Sequence, residues 1–223
     1  MSEAASVRPI EALSVVDRVA TELRHAIVRG SMRPGQEFSL REIAGQLGVS
    51  FIPVREALRT LEAEGLLVTR RGRSAVVAPL DASELAGLCQ LRKLIEPDLN
   101  ARSCVLIQAA DLDRLEETIR TLGPANGRLG DDFPSYLGWY KDLLAPAATS
   151  WDYKVLERLW LGSTRYLYVG YSRMSDEQIA GARADTALYD LVEVYRSRDP
   201  ERVREFVTGT LERSEEVARL GLD

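Results

Sequence analysis

Histidine is almost absent from this sequence of 223 residues, which contains only His25. Histidine is the usual general base beside a catalytic serine or cysteine, and it is the commonest nitrogen ligand of a protein-bound metal. The segment around His25 is predicted to be a core helix with a polar face. The sequence also lacks GxSxG, GxxxxGK[ST] and a glycine fingerprint after a strand. We therefore expect neither an enzyme nor a cofactor.

Cysteine and long apolar runs are scarce as well. Cys89 and Cys104 fall in predicted helices, without CxxC spacing and without a nearby histidine, which predicts packed, reduced thiols. No stretch approaches the ~20 apolar residues that a membrane helix needs. The first residues, MSEAASVRPIEAL, lack the basic start and apolar run of a secretion signal. We therefore expect a cytoplasmic protein with no membrane partner.

The net charge is small and unevenly distributed. The chain carries −5 in total, but residues 1–80 carry +2, with eleven arginines and no lysine, and residues 81–223 carry −7. A DNA-binding protein needs positive charge only on the face that meets phosphates. The bulk charge therefore neither supports nor excludes a nucleic-acid partner.

The first half of residues 1–80 predicts two helices. Apolar residues recur at helical spacing over 15–28 and stop at Gly30, which is placed to end a helix. The segment SMRPGQE has the composition of a turn. Ser39 then stands three residues before Glu42, a capping-box pattern that begins a second helix over 40–47.

The second half of this region predicts a third helix and a β-hairpin. Gly48 interrupts the helical pattern, and Ser50 can cap a helix that runs to Glu64 with Pro53 in its first turn. Two β-prone runs, LLVTRR and SAVVAPL, then flank a turn at Gly72. They predict a two-stranded wing.

Almost everything after residue 80 has helical periodicity. The junction is expected at residues 79–83, because residues 81–83 can cap a new helix. Six helices are predicted: Ser83 to Ser103, Ala110 to Leu122, Asp132 to Ala145, Trp151 to Tyr171, Asp176 to Arg196 and Pro200 to Arg219. We expect a mainly α protein, with a winged helix-turn-helix in residues 1–80 and an all-helical bundle in residues 81–223.

The predicted third helix has the properties of a helix that reads DNA. The major groove, about 12 Å wide, admits an α-helix that opens with small polar and basic side chains. Ser50 can hydrogen-bond a phosphate, and Arg55 can reach a guanine edge or the DNA backbone. Arg41 is expected to lie along the sugar-phosphate backbone. Residues of the wing tip could enter the adjacent minor groove, namely Arg70, Arg71 and Gly72. The alternative is a small helical domain that uses the same turn to bind protein, with its arginines exposed to solvent.

The segment FSLREIAGQLGVSFIPVREALRTLEAEGLLVTRRGRSAVV closely resembles the DNA-binding domain of the GntR family of bacterial regulators. That family has the pattern LxExxLAxxLGVSRTPVREALxxLExEGLV followed by a wing. The resemblance covers about residues 15–78 and implies a transcription regulator. It also implies that Arg41, Ser50, Arg55 and Gly72 occupy DNA-contacting positions.

One departure from the family pattern affects the operator. Phe51 and Ile52 stand where the family usually has Arg-Thr, and that arginine is among the residues that read bases. Phe51 could contact thymine methyl groups instead, or leave specificity to Arg55 and the wing. We expect an operator that differs from the family's common one.

The helical second half resembles the FCD subgroup of the same family. The resemblance rests on ELAGLCQLRKLIEPDLNARS, where Arg92 and Glu96 fit an RxxLE pattern, on WYKDLLAPA and on YRSRDPERVREFVTGTLE. Many members hold a metal in the bundle with one aspartate and three histidines. The corresponding positions here are Tyr136, Tyr140, Leu188 and Thr210, which do not replace imidazole at neutral pH. We therefore expect no metal.

Aromatic residues concentrate between positions 133 and 171. They could line a ligand cavity, or they could fill a core or a dimer interface. The hypothesis is a small organic effector of acidic or acyl type, bound without metal, with Arg92 and Arg165 as candidate partners of its anionic group. Either arginine could equally be the ion-pair partner of a nearby Asp or Glu. The candidate effector-binding residues are Arg92, Tyr136, Trp139, Tyr140, Arg165, Leu188 and Thr210.

A homodimer that presents two DNA-binding domains to DNA would recognise a palindromic operator. Effector binding would change the spacing of these two domains, and repression of transcription is the favoured outcome. The alternative is a DNA-binding protein whose second domain only dimerises and binds no effector.

Overall fold

A computed structural model describes residues 14–28, 30–70, 74–122, 133–175, 177–178 and 187–222. Within these ranges there are nine helices and three short strands. Residues 15–77, here called the head, contain α1 (Val15–Val28), β1 (Glu37–Ser39), α2 (Leu40–Leu47), α3 (Phe51–Ala63), β2 (Leu67–Arg70) and β3 (Ser74–Val77). The bundle that follows contains α4 (Ala82–Leu106), α5 (Ala109–Leu122), α6 (Phe133–Leu144), α7 (Ser150–Ser172), α8 (Ala187–Arg196) and α9 (Pro200–Leu220). The predicted fold class, a winged helix-turn-helix followed by an all-helical bundle, is confirmed.

Local capping sets the limits of α2. The Ser39 hydroxyl accepts a hydrogen bond from the Glu42 amide at 3.2 Å, and the Glu42 carboxylate accepts one from the Ser39 amide at 2.7 Å. This reciprocal pair satisfies two amides that would otherwise lack a partner at the helix start. At the other end Gly48 adopts φ +65°, a left-handed conformation that glycine adopts without steric cost. The predicted capping box and helix end are confirmed.

The sheet has three strands, so the prediction of a two-stranded wing was incomplete. β2 and β3 form the predicted antiparallel hairpin, and β1 pairs with the other edge of β3, with Phe38 opposite Ala75. A strand of three residues is too short to show an alternating pattern, and its partner lies almost forty residues away. The Phe38 side chain is buried in the head core, which holds this strand in place.

The bundle helices agree with the predicted ones to within a few residues, apart from the segment that precedes α8. α4 begins where expected, because the Asp81 carboxylate accepts a hydrogen bond from the Glu84 amide at 2.8 Å. It continues through Pro97 to Leu106, three residues beyond the predicted end. Of the helix predicted over residues 176–196, the structure shows α8, and residues 176 and 179–186 lie outside the described residues.

The head and the bundle each have a hydrophobic core. The head core is built from α1, α2, α3 and the sheet, and the larger bundle core is built from α4 to α9. One bundle side chain, Leu161 of α7, is buried in the head core, and Leu137 of α6 packs against the same cluster. A boundary at residue 80 stays a prediction, but α7 clearly contributes to both cores.

Candidate nucleic-acid interface and effector site

The first turn of α3 lacks the usual side-chain hydrogen bond from its N-cap residue. Ser50 is the N-cap residue, yet its hydroxyl makes no capping hydrogen bond. The N3 position, where such a cap usually finds its amide, is Pro53, which has no N–H. The first turn contains no acidic residue either. A hydroxyl and free amides at the positive end of a helix form a suitable site for a phosphate.

The outward face of α3 is apolar at its start and basic one turn later. Phe51 and Ile52 are 53% and 72% exposed, although both are large hydrophobic residues. Arg55 is exposed and has no partner among the described residues. Farther along the helix, by contrast, Arg59 forms an ion pair with Glu56 at 2.9 Å. This face therefore offers apolar contact area and, as far as the described residues show, an unpaired guanidinium.

The inward face of α3 explains why the outward face is fixed in orientation. Four apolar side chains at helical spacing are buried in the head core. A bidentate ion pair adds to this anchoring, because Arg24 of α1 donates to both oxygens of Glu64 at 3.0 and 2.7 Å. The anchoring side chains of α3 are Val54, Ala57, Leu58 and Leu61.

The other predicted DNA contacts are only partly described. Arg41 lies in the first turn of α2, is exposed and has no partner among the described residues. Arg70 is the last residue of β2, where its backbone pairs with Ser74 at the end of the hairpin, and only its backbone is described. Arg71 and Gly72 lie outside the described residues.

The centre of the bundle contains a buried carboxylate with four donors around it. Glu96 is 1% exposed. Its Oε1 accepts from Arg92 Nε at 2.6 Å and from Trp160 Nε1 at 3.0 Å, and its Oε2 accepts from Arg92 Nη2 at 3.4 Å and from Tyr140 OH at 3.3 Å. The remaining Arg92 nitrogen donates to the Ser163 hydroxyl at 3.1 Å. We call Arg92, Glu96, Tyr140, Trp160 and Ser163 the polar centre.

Two further residues extend this network toward α8. The Asn100 side-chain amide donates to Tyr140 OH at 3.0 Å, and Tyr195 OH donates to the Asn100 carbonyl oxygen at 2.7 Å. Burial raises the pKa of Tyr140 and of Tyr195 well above the ordinary value, so both stay protonated at neutral pH. Protonated phenols can donate the hydrogen bonds that the network needs. The buried polar groups of the described residues thus find their hydrogen-bond partners within the protein.

The structure brings together only part of the predicted effector-binding set. Arg92 and Tyr140 meet at Glu96, and the Tyr136 ring stacks on Tyr140 with 6.5 Å between ring centres. The Trp139 ring stacks on Tyr140 with 6.4 Å between ring centres, but its indole N–H donates to the carbonyl of Leu115 in α5 at 2.9 Å and not to Glu96.

The other three predicted residues lie apart from the polar centre's hydrogen bonds. Leu188 is packed in the bundle core. Thr210 donates to the Phe206 carbonyl of its own helix at 2.9 Å. Arg165 is buried beside the segment that joins the head to the bundle, where its donors are already paired.

Sequence reasoning did not place Glu96, Asn100 or Ser163 in a candidate site, and it counted Trp160 only among the aromatic residues that could line a cavity. The spacing of Arg92 and Glu96, four residues apart in a predicted helix, was a usable signal for an ion pair. It did not reveal that the pair would be buried. The contributions of Trp160 and Ser163 come from α7, more than sixty residues away, and no local pattern encodes them.

The residues at the subgroup's metal-binding positions do not fit a metal. Burial raises the pKa of Tyr136 to about 12 and raises that of Tyr140 well above its ordinary value, which disfavours the phenolate that a metal would require. Leu188 has no donor atom, and Thr210 supplies only a neutral hydroxyl. Within the described residues, no three His, Cys, Asp or Glu side chains converge in a way that could hold an ion.

A small cleft lies beside the polar centre, between α4, α7 and α9. It measures about 250 Å³ including space open to solvent, and its enclosed part admits little more than a water molecule. Arg92, Ser163 and Cys89 form part of its wall, together with Ser214 and Glu215. Ligand pockets for drug-sized molecules are usually larger, about 300 to 1,000 Å³. In this conformation the cleft suits at most a very small ligand.

No helix in the described part of the chain is long and apolar enough to cross a membrane.

Comparisons with known proteins agree with the geometry of the head. Residues 15–77 match the profile of the family described as bacterial regulatory proteins, gntR family. An uncharacterised HTH-type transcriptional regulator of Mycobacterium tuberculosis strain H37Rv is 30% identical over 106 residues, which are 48% of this chain and 43% of that protein. The chain thus aligns with less than half the length of that relative.

Two Escherichia coli proteins are similar over most of the chain. The HTH-type transcriptional repressor RspR is 25% identical over 201 residues, covering 88% of this chain and 86% of that protein. The solved structure of McbR/YncC superposes with a TM-score of 0.79 and 19% identity, covering 95% of this chain and 100% of that one. This likeness shows that the bundle has the same fold, which is consistent with the FCD subgroup. The relatives carry the names of transcriptional regulators, a class without enzymatic activity.

Proposed function

Because residues 15–77 form a winged helix-turn-helix domain of the gntR family of bacterial regulatory proteins, we propose that this chain is a sequence-specific DNA-binding transcription regulator. The observation that carries the proposal is the outward face of α3, where a helix start without a side-chain cap precedes Arg55, an exposed guanidinium with no partner in the described part of the chain. Such a regulator acts in the bacterial cytoplasm. Repression is favoured because a relative that matches most of the chain is named a repressor.

In this proposal α3 lies in the major groove. Ser50 and the first amides of the helix bind a phosphate, and Arg55 reaches a base edge. Phe51 and Ile52 supply apolar contact for thymine methyl groups. Arg41 binds the backbone, and the wing residues Arg70, Arg71 and Gly72 reach the neighbouring minor groove.

The test uses gel shifts and fluorescence anisotropy with DNA from upstream of the protein's own gene. Arg55→Ala removes a base contact worth about 1–3 kcal/mol, so the affinity should fall about 5- to 150-fold. Arg59→Ala is the matched control, because Arg59 lies on the same helix and is already paired with Glu56. Its effect should stay within about twofold. Binding that is insensitive to salt and sequence would refute the proposal.

A second variant tests the departure from the family pattern. Phe51→Arg restores the residue type that the family usually has at this position, and it should move the preferred site, selected from random DNA, toward the family's common operator. Ile52→Thr alone should change the preference less, because threonine lacks the guanidinium that reads guanine. If Phe51→Arg leaves the selected sequence unchanged, Phe51 does not contribute to readout.

We further propose that the regulator is a homodimer joined through α4 and α7. These helices pack side by side, with Gly162 of α7 directly against Leu88 of α4. Most of the large apolar side chains that the bundle exposes lie on them, and exposed apolar area of this kind favours association. The residues are Leu91, Leu94, Val105, Leu106, Trp151 and Val155. A twofold axis through this face predicts a palindromic operator.

Analytical ultracentrifugation tests the dimer. Leu94→Glu places a charge on the most exposed leucine of this face and should weaken dimerisation at least tenfold. Leu220→Glu is the control, since Leu220 is also exposed but lies at the end of α9. A monomeric wild-type chain, or equal effects of both variants, would exclude the proposed interface.

Control by a small organic effector of acidic or acyl type, bound without metal, is the remaining part of the proposal. Arg92 supports it, because this guanidinium lies in the cleft wall within hydrogen-bond distance of a serine hydroxyl. The second candidate is a bundle that only dimerises, and the small size of the cleft favours it. A thermal-shift screen of organic acids and acyl thioesters separates the two. Stabilisation by none of them, together with destabilisation by a chelator, would refute the metal-free effector.

A further inference from the structure

Residues 160–168 of α7, about two and a half turns of helix, touch three different parts of the molecule. Trp160 and Ser163 reach the polar centre, at Glu96 and Arg92 respectively. Leu161, on another face, is buried in the head core. Seven residues after Leu161, the Tyr168 ring packs against Gly30 just after α1, so closely that a Cβ at Gly30 would lie 2.5 Å from the ring.

Between these contacts, Arg165 holds the segment that joins the head to the bundle. The side chain is 3% exposed. Its Nη1 donates to the carbonyl oxygens of Ala78 and Pro79 at 3.0 and 3.3 Å, and its Nη2 forms an ion pair with Glu84 at the start of α4. An arginine can serve two neighbouring carbonyls and a carboxylate at once, because its five N–H donors lie in one plane.

Tyr166 also binds the segment that joins the head to the bundle. Its hydroxyl accepts a hydrogen bond from the Asp81 amide at 3.1 Å and lies 3.2 Å from the Asp81 carbonyl oxygen. The Arg165 guanidinium stacks over the Tyr166 ring with 4.9 Å to its centre. The segment is also tied to the head, since the Ala78 amide donates to the Leu66 carbonyl at 3.0 Å. We call Arg165 and Tyr166 the linker clamp.

We propose that the linker clamp couples the polar centre to the orientation of the head. Ser163 and Arg165 are two residues apart on a rigid helix, so a change that moves Arg92 or Glu96 must be accommodated by α7. The carbonyls that Arg165 binds move with the same helix. Arg165 thus acts as a positioning residue, not as a ligand for an effector. The inference uses the proposed function only in assigning DNA binding to the head.

Hydrogen–deuterium exchange of the full chain, read by mass spectrometry without DNA or effector, tests the clamp. Arg165→Met keeps much of the side-chain volume but leaves the Ala78 and Pro79 carbonyls without their donor. Exchange in peptides covering 78–85 should accelerate at least tenfold, while peptides from α6 and α8 stay protected. Arg158→Met is the matched control, because Arg158 lies on α7, is exposed and has no partner among the described residues. Unchanged exchange in Arg165→Met would refute the clamp.

A milder variant keeps the test decisive if Arg165→Met does not fold. Tyr166→Phe removes only the hydroxyl and keeps the buried ring. The Asp81 amide loses its acceptor and should exchange at least tenfold faster, and circular dichroism verifies that the helices are retained. Normal protection of this amide in folded Tyr166→Phe would also refute the clamp.

The coupling needs a perturbation at the polar centre. Ser163→Ala removes the acceptor of Arg92, and exchange at residues 78–85 should accelerate at least threefold although Ser163 does not touch the linker. Ser172→Ala is the control, because that hydroxyl donates only to a carbonyl of its own helix. If Arg165→Met accelerates exchange and Ser163→Ala does not, the linker clamp only holds the linker in place. The coupling between the polar centre and the head is then refuted. Failure of the wild-type chain to bind DNA would refute the proposed function and leave these exchange results valid.

Discussion

Breaking the buried ion pair between Arg92 and Glu96 should destabilise the bundle far more than breaking an exposed pair on the same helix. Arg92→Met leaves a carboxylate that is 1% exposed without its cation. The Trp160 and Tyr140 donors remain, but neither carries a charge. Glu96→Gln leaves the guanidinium, 14% exposed, without its counter-charge and gives it an amide that offers one acceptor oxygen in place of two.

The expected magnitude follows from this burial. Removing one partner of a buried ion pair typically costs about 3–5 kcal/mol, because the other charge stays desolvated and unpaired. For a chain of this size each kcal/mol lowers the melting temperature by about 2–4 °C, so each single variant should melt about 6–20 °C lower. The double variant Arg92→Met with Glu96→Gln has no buried charge. It should therefore be more stable than the sum of the two changes by about 1–3 kcal/mol.

Urea unfolding followed by tryptophan fluorescence measures these differences, and Trp160 reports directly because it donates to Glu96. Asp98 and Arg102 provide the matched control. They also lie four residues apart on α4 and form an ion pair at 2.9 Å, but their side chains are 55% and 52% exposed. Arg102→Met should cost only about 0–1 kcal/mol. Equal costs for Arg92→Met and Arg102→Met, or strictly additive effects in the double variant, would show that burial does not control this pair.

Two other predictions concern contacts of α9. Gly170→Ala would place a Cβ 2.0 Å from the carbonyl oxygen of Val217, so α7 and α9 must separate, which should lower the free energy of unfolding by about 1–3 kcal/mol. Gly87→Ala on α4 is the control, because a Cβ there meets open space and should raise the free energy of unfolding by about 0.5–1 kcal/mol. Urea unfolding compares the two variants. The hydrogen bond from Lys93 lowers the pKa of Glu215 below its ordinary value of 4.5. The ionised pair therefore contributes stability above about pH 4.5 that is lost as the pH falls through the lowered pKa, and Lys93→Met should reduce this acid-side loss in unfolding curves measured from pH 7 downward.

Much of the head could be predicted from sequence because its signals are local. The capping box at Ser39 and Glu42 and the glycine at position 48 act within one turn of chain, so their effect does not depend on the rest of the fold. The three-residue strand β1 could not be predicted in this way. It exists because β3 offers a free edge and because Phe38 has a core to enter.

The candidate effector site shows the same division. The sequence predicted aromatic and basic residues in the right helices, and Arg92 and Tyr140 do meet in the structure. The Trp139 N–H and the Arg165 guanidinium find their partners elsewhere, because helical spacing assigns a residue to a face but not to the neighbour that the face will meet. Only the packed bundle shows which side chains share a space.

The sequence by itself determined the identity of the head, since a dense motif with fixed spacing specifies both its helices and its likeness to a family of regulators. It also determined that the histidines of a metal site are missing. Tertiary structure alone decided that Glu96 is buried among donors from three helices and that Arg165 grips the linker. Burial and contacts between residues 44 to 87 positions apart arise from how helices pack, and the local sequence around each residue does not contain that information.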